Sequence, residues 1–549
     1  MSTHQGGQAP VRAERFAVAS PHRLASDAGL AALRRGGSAV DASIVMGAVL
    51  AAVYPHMTGL GGDGFWLVWD PRERRLHGLN GSGPAAALAT RASYAEHGDA
   101  IPHRRARAAL TVPGVVDGWR MLHERWGRLQ WRTLFDDAIR HARDGAPVGR
   151  SLGHWLRADG TLQRECPEVH AVFHDALQPA RAVDTRCVIP GLADTLTRLA
   201  ERGPRAGFYE GETAERICAS LASRGSPLRA DDFAAFRAEW AEPLRTTYRG
   251  VTVCQLPPNS QGWTALSALN VLEGFDLSRW GEGSADYYHH AIEAIKLAFA
   301  DRDAWLADPR FVHAPIDRLT AKDYASTRRS EIDPHRALPP AQVRAGVPFP
   351  GDTAHARPGG DTCYHCVVDA DGMVVSAIES LFHDFASGVF GGDTGVLMQN
   401  RGSAFSLQAN AANVLEPRKR PAHTLMPAML LREGEPLLAF GAMGGEGQPQ
   451  THLALVTRIV DFGFDVQRAI DAPRWRYGRG WGDAVATVLL EGRIPQDVME
   501  ALAERGHDTR VVDAWSESMG HAHAIRIDRE RGWLEAGADP RSDGCAAGD

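Results

Sequence analysis

Hydrophobic positions change their period several times along the chain, and the changes mark its parts. The first 60 residues give two helical patterns, separated at Gly36-Gly37. The second holds the longest apolar run, Ala42 to Tyr54, with Asp41 near its N-cap. That run is too short to span a bilayer and reads as a buried core helix. A glycine-rich turn, Gly59-Leu60-Gly61-Gly62-Asp63-Gly64, leads into the apolar strand Phe65 to Trp69. From about Val112 to Ser330 the pattern is mainly helical, as in Tyr287 to Ala307. Ala337 to Gly360 then carries Pro339-Pro340, Pro348, Pro350 and Pro358-Gly359-Gly360. Such a segment continues neither a helix nor a central strand, so it predicts an exposed loop, where chains are most easily cut.

After the loop the pattern is that of strands. Cys363 to Asp369 and Met373 to Leu381 flank Ala370-Asp371-Gly372. A three-residue hairpin loop with Gly372 in the left-handed region fits this spacing. That register sets Thr362 opposite Ser380 on one face, about 5 Å apart between Cβ atoms. A threonine at the start of a strand behind an exposed loop has a chemical option. Its hydroxyl can attack the Asp361 carbonyl and cut the chain, and the new α-amine can then act as its general base. An ordinary strand threonine fits the same pattern, because β-branched residues favour strands.

Composition narrows the classes. The 549 residues suffice for two or three ordinary domains or for one large two-subunit fold. Apolar residues at 44% and charged residues at 23% are normal for a globular protein. A formal charge of −7 argues against a nucleic-acid partner, which needs a basic footprint. Only Lys296, Lys322 and Lys419 are lysines, an arginine bias that GC-rich codon usage explains. Met1 to Pro10 is polar and has no apolar core, unlike a secretory signal. Seven scattered cysteines give no disulfide framework, and a cytoplasmic chain with reduced thiols is the expectation. No membrane partner is expected.

Three further signals weaken on inspection. Cys363-Tyr364-His365-Cys366 has metal-site spacing, but on a strand its thiols face opposite sides and no second pair follows. His521-Ala522-His523 puts two imidazoles on one strand face without a third ligand, which suggests an exposed strand. His289-His290 opens a helix and reads as structural. No metal or organic cofactor is called for.

The run Thr362-Cys363-Tyr364-His365-Cys366-Val367-Val368-Asp369 resembles the small-subunit start of the γ-glutamyltransferase superfamily. Phe385-Ala386-Ser387-Gly388, Thr394-Gly395-Val396-Leu397, Lys419-Arg420-Pro421 and Gly444-Gly445 follow in the family's order. Tyr54-Pro55-His56, Gly61 to Phe65, Val112-Pro113-Gly114, Pro257 to Gly262 and Lys296 to Arg302 match upstream. The resemblance runs from about Val18 to Leu534. It implies an α+β fold, the four-layer αββα sandwich of N-terminal-nucleophile (Ntn) hydrolases. It also implies self-cleavage between Asp361 and Thr362 into a large subunit, 1–361, and a small one, 362–549. Thr362 matches the nucleophile, with Cys363 a less favoured alternative. Ser380 stands where the family has a threonine bonded to that nucleophile. Gly444 and Gly445 match the pair whose N–H groups form the oxyanion hole, where glycine allows close backbone approach.

Departures from the family pattern bear on the substrate. The arginine that grips a glutamate α-carboxylate is matched by Asn80, and the aspartate that grips the α-amine by Ala404. Phe382 replaces an asparagine, His423 and Thr424 replace two serines, and Arg401 stands near the amine site. Glu379-Ser380-Leu381-Phe382-His383 and Gln399 to Ser406 resemble a divergent branch that includes oxamate amidohydrolase. The resemblance therefore implies hydrolysis of a small carboxylate-bearing amide through an acyl-threonine, with Arg401 and His423 as candidate cations. Pairing of Arg401 with a protein carboxylate is the structural alternative. A γ-glutamyl transferase or glutathione hydrolase, and an unprocessed chain used only for binding, remain open alternatives. The expected partners are the amide and the two subunits of one precursor, and a dimer of such heterodimers is compatible with this.

Overall fold

The computed structural model describes residues 9–158, 162–173, 185–351, 360–478 and 486–549. Pro358 and Gly359 of the proline-rich loop lie outside the described residues, as do Met1 to Gln8. Two seven-stranded sheets dominate. One contains the hairpin strands Asp361–Val368 and Val374–Phe382, next to Asp63–Asp70 and Arg75–Gly81. The other contains Leu244–Tyr248, Val251–Gln255, Ala428–Arg432, Glu435–Ala442 and Ala522–Asp528.

Strand alternation explains how the sheets stack. Phe65, Leu67 and Trp69 join Tyr364, Ile378, Met429 and Ile525 in a core between the sheets. Trp66, Val68, Val367 and Val375 point the other way, into a cluster with helices Arg23–Arg34 and Ala39–Val53. Leu430, Leu438 and Phe440 pack outward against helices Gly262–Leu272 and Ala285–Trp305. Both faces of both sheets are thus covered. This is the four-layer αββα sandwich, and it is why the strand Phe65 to Trp69 is apolar without alternation. Among the described residues no helix is long and apolar enough to cross a membrane.

The hairpin keeps the register that the sequence predicts. Cys363 pairs with Glu379 and Val368 with Val374, while Gly372 has φ +83°. The register breaks at the end that matters, through an irregularity between Asp361 and Cys363. Other expectations need correction. The stretch read as mainly helical contains the hairpin Leu244–Tyr248/Val251–Gln255, turned at Arg249-Gly250, both with positive φ. The helix Ala39–Val53 is capped by Ser38, with Asp41 completing a capping box. His523 is buried because its strand runs inside the second sheet, beside Glu435–Ala442 and Trp533–Ala538, and His521, just before that strand, is buried too. None of the seven cysteines is in a disulfide, and Cys363 and Cys366 lie in opposite core clusters.

Candidate active site

At one end of the slot between the sheets the apolar lining gives way to polar residues. Asp63 pairs with Ser380 across adjacent strands, and Asp361 pairs with Phe382. From the second sheet come His423 and Thr424, just before Ala428–Arg432, and Gly444-Gly445, just after Glu435–Ala442. Gly360, two residues before Thr362, lies against this side. A Cβ placed on Gly360, whose φ is +142°, would stand 2.9 Å from Gly445 Cα and 3.5 Å from Thr424 Oγ1. Only glycine allows that approach.

Thr362 is fully buried, and its hydroxyl has no hydrogen-bond partner among the described residues. The expected Thr362–Ser380 bond is therefore absent from the uncut chain, because the irregularity at Asp361 removes the facing geometry. Ser380 Oγ instead accepts from the Phe382 N–H at 2.8 Å and from Arg401 Nη2 at 3.3 Å. Phe382 has φ +87°, a region that costs a bulky residue of the order of 1–3 kcal/mol. Gly444 and Gly445 have φ +121° and +54°.

Arg401 is the central cation. It is fully buried on a short turn, Arg401–Ala404, which Asn400 anchors through the Leu381 and His103 carbonyls. Its guanidinium donates to Thr424 Oγ1 at 3.0 Å, reaches Ser380, and lies 3.9 Å over the Phe382 ring. Its Nε has no partner among the described residues. Among the described side chains no carboxylate stands within ion-pair distance of it. Burial pulls its pKa down to about 9, against the pull of Asp63.

Sequence reasoning assigned no role to Asp63, a buried acid at the head of an apolar strand, which was the available signal. Its carboxylate accepts from Gly83 N–H at 3.1 Å, Gln399 Nε2 at 3.0 Å and His423 Nε2 at 3.1 Å. Burial raises its pKa to about 7, although Arg401 opposes the shift.

His423 is not a cation. Burial, then Arg401, pushes its pKa far below the usual imidazole value. Its Nδ1 accepts from the Leu425 N–H, so Nε2 keeps the proton it gives to Asp63. Asn80 is also committed internally. Its carbonyl accepts from the Ser82 N–H and hydroxyl at 2.9 and 2.6 Å, and its amide donates to Asn259 at 2.9 Å. The structure therefore gathers Thr362, Ser380, Phe382, Arg401, Thr424 and Gly445 around one point, with His423 and Asn80 behind them.

The chain is similar to known proteins over nearly its whole length. The gamma-glutamyltranspeptidase family model matches residues 25–549. The glutathione hydrolase-like YwrD proenzyme of Bacillus subtilis is 44% identical, over 97% of this chain and 98% of its own length. The oxamate amidohydrolase proenzyme of Klebsiella pneumoniae is 40% identical, over 96% and 97%. The crystal structure of cephalosporin acylase from Bacillus halodurans superposes with a TM-score of 0.89 at 35% identity, covering 100% of this chain and 98% of that one. The chain belongs to the γ-glutamyltranspeptidase family of Ntn hydrolases and is a hydrolase acting on amide C–N bonds.

Proposed function

We propose that this chain is a self-processing amidohydrolase whose substrate is a small amide bearing a carboxylate, such as oxamate. Processing starts when Thr362 Oγ attacks the Asp361 carbonyl. The C–N bond to Thr362 breaks, and water hydrolyses the resulting ester. The products are subunits 1–361 and 362–549, the second with a free α-amine. Several relatives carry proenzyme names, which supports this order of events.

In turnover the Thr362 α-amine takes the hydroxyl proton as Oγ bonds to the amide carbon. The Gly444 and Gly445 N–H groups receive the oxyanion. Collapse breaks the C–N bond, and the ammonium returns its proton to the leaving nitrogen as ammonia departs. Water then attacks the acyl-threonine, and for oxamate the second product is oxalate. Arg401 pairs with the substrate carboxylate, while Thr424 and Ser380 hold the guanidinium in place.

The observation that carries this reading is Arg401, a buried cation held by two hydroxyls and an aromatic face with no described carboxylate in contact. An arriving anion completes it. Ala404 offers no charge for a substrate α-amine, and the Asn80 carbonyl is taken by Ser82. The name of the 44% identical relative favours a second reading, glutathione hydrolysis. An amide panel on the processed protein decides between them: oxamate turnover well above that of glutathione supports our reading, and the reverse order overturns it. A single intact 59.4 kDa band in an inactive preparation would instead point to an unprocessed binding protein.

A further inference from the structure

Gln261 precedes the proposed cut, yet the three carbonyls it donates to, those of Thr424, Gly445 and His423, all follow it. It is 1% exposed and caps the helix Gly262–Leu272. Its Nε2 donates to the Thr424 carbonyl at 2.8 Å and to the Gly445 carbonyl at 3.1 Å, so both amide hydrogens are used. Its Oε1 accepts from Arg302 Nη1 at 3.2 Å. A guanidinium only donates, so Arg302 fixes which end of the amide faces the two carbonyls. Arg302 is itself held by Asp303 at 2.7 Å and by Glu446, the residue after Gly445, at 3.2 Å. The main chain repeats the pattern. The Gln261 N–H donates to the His423 carbonyl, and the His423 N–H donates to the Asn259 carbonyl, each at 2.9 Å.

We infer that Gln261 is a positioning residue for the reaction: its buried amide sets the Gly444-Gly445 turn at a fixed distance from the Thr424 segment that supports Arg401. The inference rests on the assignment of that turn as the oxyanion hole. The physical need is plain. Two consecutive glycines with positive φ have little conformational preference of their own. Donors aimed at a developing oxyanion lose their effect when they drift by a fraction of an ångström. The hydrogen bond to the Gly445 carbonyl removes that freedom, and the bond to the Thr424 carbonyl ties the correction to the substrate-binding wall. One side chain thereby links where the carboxylate is held to where the charge develops.

The test uses the processed enzyme with the best amide of the panel, at pH 8. Gln261→Met is close in size and lacks both donors. Gln261→Glu keeps an acceptor for Arg302 and, ionised, also lacks the donors. Both should lower kcat about tenfold or more while KM moves less than about threefold, because transition-state donors are displaced and ground-state contacts remain. Gln261→Glu should unfold near the wild-type temperature, which separates positioning from folding. Wild-type kcat in Gln261→Glu, or a loss confined to KM or to the folded fraction, overturns the inference. Thr362→Ala is the parallel arm: if that variant still turns over, the reading of the site fails first. If it is dead while Gln261→Glu is fully active, only the role of Gln261 fails.

Discussion

Two clusters of buried arginine in this molecule have opposite characters. Around Asp539, every guanidinium meets a carboxylate: Arg474 bonds Asp539 at 2.6 Å, and Arg541 bonds Glu491 through two contacts of 2.6 and 2.7 Å. Asp539 also accepts the Ala522 N–H at 2.7 Å. Burial works to raise the Asp539 carboxyl, but Arg474 and Arg541 hold it far below the usual range. Around Arg401 the guanidinium finds hydroxyls and a ring, one of its nitrogens has no partner among the described residues, and burial drags its pKa down. A closed ionic network in a protein interior is structural, because removing one partner strands the other. An open one, beside the proposed nucleophile Thr362, whose hydroxyl also has no partner among the described residues, keeps capacity for a ligand. The strained Phe382 backbone lies on the open side as well.

The most severe test of the contrast is Thr362→Ala. Removing the hydroxyl should abolish both processing and turnover, leaving one uncut chain on a denaturing gel and no ammonia release above background. Cleavage at the same bond in that variant would detach Thr362 from the chemistry. Next comes the closed cluster. Arg541→Met leaves Glu491 and Asp539 short of a partner, and should cost roughly 3–5 kcal/mol in denaturant unfolding. The ratio of activities on charged and neutral amides should stay at its wild-type value. A change in that ratio without loss of stability would reverse the roles of the two clusters.

The open cluster should respond the other way. Arg401→Met should lower kcat/KM for a carboxylate-bearing amide by roughly 10- to 100-fold, the loss of one charged hydrogen-bond site worth about 1.5–3 kcal/mol. A neutral amide should lose far less, and unfolding should change little. Equal losses on both substrates would remove the anion-binding role. Ser380→Ala should be milder, about tenfold on the charged amide. The Ser380 hydroxyl supports Arg401 and the Phe382 N–H, so its loss reaches the substrate through them. A wild-type rate would mean that neither contact orients the site.

Much of this was legible in the sequence, and what was not has a common cause. Hairpin register and the helices Arg23–Arg34 and Ala39–Val53 follow from local rules of period, turn residues and capping. Pairings across the fold do not. The hairpin at Arg249-Gly250 was lost among helical neighbours because its strands are short and its partner, Ala428–Arg432, is far away in the chain. His521 and His523 looked exposed because alternation cannot reveal that a strand is covered on both faces. His423 looked like a cation until Asp63 and Leu425 fixed its tautomer. Gln261 sat in a quoted motif without a role, since the two carbonyls its amide donates to, 163 and 184 residues away, are brought beside it only by the fold.

The finest test concerns the charge balance of the open cluster. Asp63 has a pKa raised to about 7, by burial against the opposing pull of Arg401. Above that pH its negative charge offsets Arg401, and below it the site carries an uncompensated cation. A bound carboxylate would raise the Asp63 pKa further, so protonation and anion binding must favour one another. KM for a charged amide should therefore fall severalfold as pH drops from about 8 to about 6, since one unit of pKa coupling is about a tenfold effect. His423 contributes nothing in this range, because it is held neutral. Glu379, which burial pushes up to about 8, also titrates nearby, as would an ordinary α-amine freed at Thr362 by the proposed cut. Their effects on the chemical step are shared by every substrate, so the quantity to follow is the ratio of KM for a charged amide to KM for a neutral one. The sign for folding runs in the same direction. An acid whose folded pKa exceeds its unfolded value of 3.8 binds its proton more tightly in the native state. Its contribution to stability is therefore full below about pH 4 and is lost as pH rises through about 7. Asp63→Asn should flatten both profiles, the KM ratio and the decline in stability between those pH values. A KM ratio that stays pH-dependent in Asp63→Asn would assign the coupling to another acid.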